Sequence, residues 1–239
     1  IKKINSDKHN ISFTGKFSRN ISKKNTISKL LEILENKKLL KNDKFKIIIK
    51  KNIPIKSGLG GGSMNAANIL SYLISKKIVK TTQKEIIKIS KLVGSDVLLG
   101  LDSTNSILNS KNKIKRFTDC RKIYTLIVKP NLGCSTRKIY SKIRKFEKPK
   151  LNKPSKDMFN LNNLKKMTNS LEPIALSMHS PLKRIKIFLE SSTHAEFVRM
   201  TGSGSALVAY FYSKGKCDIA KKRFNKKYKN YWCISSKTI

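Results

Sequence analysis

The sequence predicts an α+β chain, and three stretches carry that expectation. Phe45–Lys50 alternates apolar and polar residues as a half-buried strand does, then runs into a glycine-rich loop and a helical pattern. Tyr124–Lys129 holds Leu126, Ile127 and Val128 in a row and ends at Pro130, the mark of a strong strand. Val198–Met200 and Ala206–Tyr212 flank Thr201-Gly202-Ser203-Gly204-Ser205, which reads as strand, glycine loop, strand.

The other elements follow in chain order. Ile11–Phe13 reads as a short strand. Asn25 and Thr26 offer an N-cap for a helix through about Glu35, with Ile27, Leu30, Leu31 and Leu34 on one face. After the glycine loop, Ala66, Ala67, Leu70 and Leu73 fall at helical spacing. Thr82–Val93 makes the next helix, ended by Gly94, with Ser95 or Asp96 available to cap a new one. Ser106–Phe117 gives a pair of short strands, and Ser135-Thr136 caps a helix through about Lys145. Glu147–Phe159 reads as an exposed connector. Helices follow at Leu161 to about Leu171 and at Pro181–Leu189, the latter opened by Pro181 at its first position. Cys217–Phe224 is a helix and Tyr231–Ser235 a closing strand.

Chemistry concentrates in Ile53–Leu73. Gly58, Gly60, Gly61 and Gly62 lie in one short loop closed by Ser63. The first amides of a helix have no intrahelical partner, and the macrodipole adds partial positive charge there. Glycines let that backbone approach a phosphate closely. A plain strand-to-helix turn with Ser63 as N-cap needs fewer glycines. The run is neither GxxxxGK[ST] nor GxGxxG, since Met64 stands where a lysine is required.

Composition narrows the partners. The formal charge is +39, from 53 Lys+Arg against 14 Asp+Glu. Lysine is spread along the whole chain and no aromatic-interleaved RNP-type motif occurs, which favours a solvated basic surface over a nucleic-acid stripe. Such charge still raises encounter rates with anionic substrates. Cys120, Cys134, Cys217 and Cys233 are scattered without CxxC spacing, so reduced cytoplasmic thiols are expected and no zinc signature forms. His9, His179 and His194 read as surface or cap residues. No run of 18 apolar residues occurs, so no membrane span is expected. The chain begins with Ile and shows no charged-then-apolar leader; the expectation is a fragment or processed product without a secretory signal.

The run PIKSGLGGGSMNAANIL resembles the ATP-binding motif of the GHMP kinases, which reads close to P-x-G-A-G-L-G-G-G-S-S-D-A-A in the branch most similar to this chain. GSDVLLGL at Gly94–Leu101 and MTGSGSALVAYF at Met200–Phe211 agree with two further blocks in order and spacing. Asn25-Thr26, the Pro130–Thr136 block and Asn169-Ser170-Leu171-Glu172 match smaller ones, the last with one change. The branch acts in the non-mevalonate isoprenoid pathway on a cytidine diphosphate alcohol.

The resemblance implies a two-lobe fold, with a ribosomal-protein-like half over 1–122 and a ferredoxin-like half over 123–239, its first strands missing. ATP with Mg²⁺ is the implied phosphoryl donor, held by Pro54, Ile55, Lys56, Ser57, Gly58, Leu59, Gly60, Gly61, Gly62, Ser63 and Met64. Ser63 would offer its hydroxyl to a phosphate or to Mg²⁺. Asp96 matches the proposed catalytic base. Thr201, Gly202, Ser203, Gly204 and Ser205 would line an opposite wall. Independently, Asp96 is the one carboxylate set between apolar Leu92-Val93 and Val97-Leu98-Leu99, which suggests shelter. A cytoplasmic monomer or homodimer without membrane or nucleic-acid partners is implied.

The chain departs from the pattern in several places. The family's K-I-N-L-x-L-x-V and D-G-Y-H blocks are absent, and Lys3-Ile4-Asn5 lies too near the glycine loop to replace them. Met64 stands for a serine, Asn65 for an aspartate and Leu98 for a proline. Two alternatives stay open: another small-molecule kinase of the same family, and a non-catalytic basic RNA-binding homologue.

Overall fold

The computed structural model describes residues 1–111, 113–144, 149 and 151–239. The chain forms two compact units, Ile1–Ile55 with Gly60–Ser103, and Lys56–Leu59 with Thr104–Ile239. The family resemblance places the boundary at 122–123.

In the first unit β1 (Lys2–Ile4), β2 (Asn10–Thr14) and β3 (Lys44–Lys50) form a sheet in the order β1-β3-β2, with β1 antiparallel and β2 parallel to β3. The alternation in β3 holds: Phe45 and Ile47 are buried, Lys46 and Ile48 exposed. Between β2 and β3 runs α1 (Thr26–Asn36); α2 (Gly61–Ser75) and α3 (Gln83–Val93) follow β3. Asn25 is the cap of α1: its Oδ1 accepts the amides of Ile27 at 2.9 Å and Ser28 at 3.2 Å, and Ser28 Oγ accepts Asn25 N–H in return. Leu30 and Leu34 of α1, Phe45 and Ile47 of β3, Leu70 and Leu73 of α2 and Ile89 of α3 close one core. Truncating such a buried Leu to Ala costs about 2–5 kcal/mol, so this core holds α2 against β3 and α1.

His9 is not a surface residue. Its Nδ1 accepts the Phe45 amide at 3.0 Å, its ring stacks on Phe45, and burial pushes its pKa down against the raising pull of Glu35.

In the second unit the hairpin β4 (Asn105–Leu108) to β5 (Ile114–Phe117) precedes β6 (Tyr124–Lys129). With β7 (Phe197–Met200), β8 (Leu207–Phe211) and β9 (Trp232–Lys237), β6 builds an antiparallel sheet in the order β7-β8-β6-β9. Its helices are α4 (Thr136–Tyr140), α5 (Leu161–Lys166), α6 (Glu172–Met178), α7 (Ser180–Ser192) and α8 (Lys214–Lys227). Leu126 and Val128 of β6 pack in one core with Leu182, Ile185 and Leu189 of α7 and Phe224 of α8.

Several expectations need correction here. The helix capped by Ser135 ends at Tyr140, not near Lys145, which lies outside the described residues. The helix expected to run from Leu161 to Leu171 stops at Lys166, and α6 was not foreseen. Pro181 is the second residue of α7, one position later than expected. Of the connector Glu147–Phe159, residues 147, 148 and 150 lie outside the description, and Lys156–Phe159 makes a 3₁₀ turn. Among the described residues no helix is long and apolar enough to cross a membrane.

Candidate active site

The helix after the glycine run starts earlier than the sequence placed it. Gly60, at φ +65°, is the N-cap of α2, and Ser63 sits inside the first turn and caps nothing. A left-handed cap suits glycine, and here the demand is conformational only, since a Cβ on Gly60 would meet nothing within 4 Å. The first hydrogen bond of the helix runs from Met64 N–H to Gly60 O at 2.9 Å. The amides of Gly61, Gly62 and Ser63 therefore have no acceptor within the helix and point from its positive end.

Two side chains steady this turn. Thr26, the first residue of α1, donates its hydroxyl to Gly62 O at 2.9 Å, and a Cβ on Gly62 would come within 3.2 Å of that hydroxyl. The Asn25-Thr26 pair thus divides its work: Asn25 caps α1 and Thr26 braces α2. Lys51 is buried, with its ammonium 3.8 Å from where a Cβ on Gly61 would lie. Burial pulls its pKa down from the usual lysine range. Sequence reasoning missed Lys51, because one lysine among 53 basic residues carries no signal.

The turn that carries Asp96 packs on the same end of α2. A Cβ on Gly94 would lie 3.8 Å from Ser63 Oγ, and one on Gly100 would lie 2.7 Å from Met64 Sδ and 2.9 Å from Ala67 Cβ. Met64, a departure from the motif, is thus accommodated by a glycine of the second block. Asp96 itself is exposed, although Val97 and Leu98 beside it are buried. The expected shelter is absent: the turn sends the neighbours into the core and leaves the carboxylate outside, with Ser95 Oγ donating to its Oδ1 at 3.2 Å. Neither Ser95 nor Asp96 caps the next element, a 3₁₀ turn Leu99–Leu101 preceded by Leu98.

In the second unit Thr201–Ser205 is tied to Lys56–Gly58. Ala206 N–H donates to Ser57 O at 2.9 Å, Ser205 N–H to Lys56 O at 3.4 Å, and Thr201 Oγ1 to Gly58 O at 3.0 Å. A Cβ on Gly58 would fall 2.2 Å from Thr201 O, so this glycine serves close packing. The Asn169–Glu172 block holds the same loop from its start. Asn169 Nδ2 donates to Met200 O and Gly202 O, each at 2.8 Å, and Glu172 Oε2 accepts Met200 N–H at 2.6 Å while Oε1 takes Lys186. Lys129, buried and with its pKa lowered by burial, donates to Pro130 O and Leu132 O at 2.9 Å. Ser205 Oγ reaches Leu132 O at 2.6 Å.

A strand-to-helix turn whose first amides lack a helical acceptor, and an aspartate turn packed on that helix start, come together in the first unit. The chain belongs to the GHMP kinase family. Residues 25–107 match the model of the GHMP kinases N terminal domain. Its relatives there are 4-diphosphocytidyl-2-C-methyl-D-erythritol kinases. That of Pelagibacter ubique is 50% identical over 239 residues, 100% of this chain and 85% of the relative. That of Clostridium tetani is 33% identical over 203 residues, 81% of this chain and 70% of the relative. Among solved structures, a 4-(cytidine 5'-diphospho)-2C-methyl-D-erythritol kinase matches with a TM-score of 0.73 at 20% identity, over 95% of this chain and 82% of that one. The mevalonate kinase of L. major matches with a TM-score of 0.70 at 16% identity, over 96% and 82%. These two share the fold.

Proposed function

We infer that this chain is a kinase that transfers the γ-phosphoryl group of ATP to the 2-hydroxyl of 4-diphosphocytidyl-2-C-methyl-D-erythritol, in the non-mevalonate isoprenoid pathway. The observation that carries the reading is the 50% identity to the Pelagibacter kinase across the whole chain. The packing of the Asp96 turn against the free first turn of α2 supports it.

Phosphoryl transfer asks a protein mainly for positioning and charge neutralisation. On this reading the amides of Gly61, Gly62 and Ser63 bind phosphate oxygens, and the Lys51 ammonium adds positive potential beside them. Asp96 accepts the proton of the attacking hydroxyl as its oxygen bonds to the γ-phosphorus. The bond from that phosphorus to the β-bridging oxygen breaks, and ADP leaves. Thr201–Ser205 holds Lys56–Gly58 in place. Among the described residues no group of three or more His, Cys, Asp or Glu gathers to hold a metal ion. A Mg²⁺ would take phosphate and water ligands with Ser63 Oγ as a protein donor, an arrangement this ion commonly adopts. When bound, it supplies charge neutralisation at the phosphates. The four cysteines are free thiols, which supports a reducing, cytoplasmic setting.

A coupled ADP-release assay tests the reading. Turnover with the cytidylated alcohol, and not with mevalonate or homoserine, is the expected result. Turnover only with another alcohol would move the chain elsewhere in the family, and salt-dependent RNA binding without ATP turnover would overturn the kinase reading.

A further inference from the structure

Lys56 carries the one cationic side chain of the Pro54–Met64 run, and a cradle of backbone amides makes no use of it. Aligned on Pro54, the motif P-x-G-A-G-L-G-G-G-S-S-D-A-A has glycine at this position. The chain keeps the glycine-like backbone there, with φ +51°, but carries a lysine. Left-handed backbone costs an L-residue free energy, so the substitution is not neutral for the fold.

Other lysines share that conformation, and they need separating from this one. Lys38 and Lys77 directly follow the C-caps of α1 and α2, where a left-handed residue normally closes a helix, and Lys41 lies beside left-handed Asn42 in the turn that leads into β3. Lys56 is at no helix end. Its stem lies on the Pro130–Thr136 loop: a Cβ on Gly133 would fall 3.0 Å from Lys56 Cβ and 3.2 Å from its Cδ. Gly133 therefore gives the stem its seat, while the residue as a whole stays exposed. Its carbonyl takes the Ser205 amide, and the same two loops meet again where Thr136 Oγ1 and Ser203 Oγ lie 2.6 Å apart. Lys56 thus rests its stem on one hydroxyl-bearing loop and ties its carbonyl to the other, and its ammonium makes no ion pair among the described residues.

We propose that the Lys56 ammonium contacts phosphoryl oxygens of a substrate, adding a side-chain cation to a motif that elsewhere offers backbone amides. The proposal rests on the kinase reading. The shared chemistry is a di- or triphosphate chain, and two sources carry it: ATP and the cytidine diphosphate end of the alcohol.

Isothermal titration separates them without turnover, one arm using a non-hydrolysable ATP analogue with Mg²⁺ and the other the cytidylated alcohol. Lys56→Gln keeps the strained backbone and removes the charge, Lys56→Arg keeps both, and Lys56→Gly removes both. The glycine variant folds at least as well, since it restores the residue that the conformation favours. In one arm, Lys56→Gln and Lys56→Gly bind about five- to tenfold more weakly, as loss of an exposed charge-assisted contact implies, and Lys56→Arg stays within about twofold. The gap narrows at high salt. Lys77→Gln, a left-handed lysine removed from these loops, leaves both affinities unchanged; an equal loss there would assign the effect to general charge and overturn the contact. Unchanged affinity in both arms for Lys56→Gln and Lys56→Gly would overturn it too, with the kinase reading intact. Failure of the native chain to bind either ligand would overturn both.

Discussion

The two glycine-rich loops look alike on paper and behave differently in the fold. Around Thr201–Ser205 four amides are engaged: Thr201 N–H with Ala206 O, Gly204 N–H with Thr201 O, Ser205 N–H with Lys56 O and Ala206 N–H with Ser57 O. At the start of α2 the amides of Gly61, Gly62 and Ser63 have no helical acceptor. Glycine in the first loop allows backbone to pack on backbone, while in the second it leaves donors open, which the proposed function uses for phosphate. The boundary between the two uses runs through the motif itself. Gly58 belongs with the packing set and Gly61 and Gly62 with the donor set, with Gly60 between them as the left-handed cap.

Substitutions can break that contrast. The largest effect falls outside the glycines: Asp96→Asn removes the proposed proton acceptor, and kcat drops by about 10²–10⁴-fold with KM for ATP little changed, read by ADP release. Next is Gly58→Ala, whose Cβ would collide with Thr201 O. Thermal denaturation should show Tm lowered by roughly 5–15 °C, whatever nucleotide is present. Gly61→Ala separates the two roles most cleanly. Its Cβ would meet only Lys51 Nζ at 3.8 Å and Ile53 Cγ2 at 4.0 Å, so stability holds or rises by about 0.4–1 kcal/mol. ATP affinity falls by about tenfold, the size of one charge-assisted hydrogen bond, because a methyl group now stands among the donors.

The smallest effect is chemical reactivity. Burial pushes the Cys217 and Cys233 thiols up from 9.0 to about 11. Both stay protonated through pH 9, so the thiolate is scarce, roughly 0.1% at pH 8. Peptide mapping after iodoacetamide should find them unlabelled at pH 8, with labelling rising toward pH 11 or on unfolding.

Local pattern made much of this legible. Tyr124–Lys129 is a strand at the bounds that its apolar run and Pro130 gave, and Asn25 caps α1 as its type suggests. What was misread depends on contacts made far along the chain. The apolar spacing after Leu161 continues past Lys166, but Asn169 turns its side chain to the carbonyls of Met200 and Gly202, which splits one expected helix into α5 and α6. Gly61 and Gly62 are poor helix formers, yet Thr26 and the packing of Ala66 and Ala67 carry α2 back to Gly61. Apolar neighbours suggested a sheltered Asp96, and only the turn's geometry shows that side chain leaving the core that they enter. Lys51 was invisible because its environment, not its identity, sets it apart.

Amide chemical shifts give the most direct test that the donors at α2 hold the phosphates. Adding a non-hydrolysable ATP analogue with Mg²⁺ to the ¹⁵N-labelled chain should move the resonances of Gly61, Gly62 and Ser63 most, and those of Gly204 and Ala206 far less. Shifts confined to Gly204–Ala206, with Gly61–Ser63 still, would contradict it.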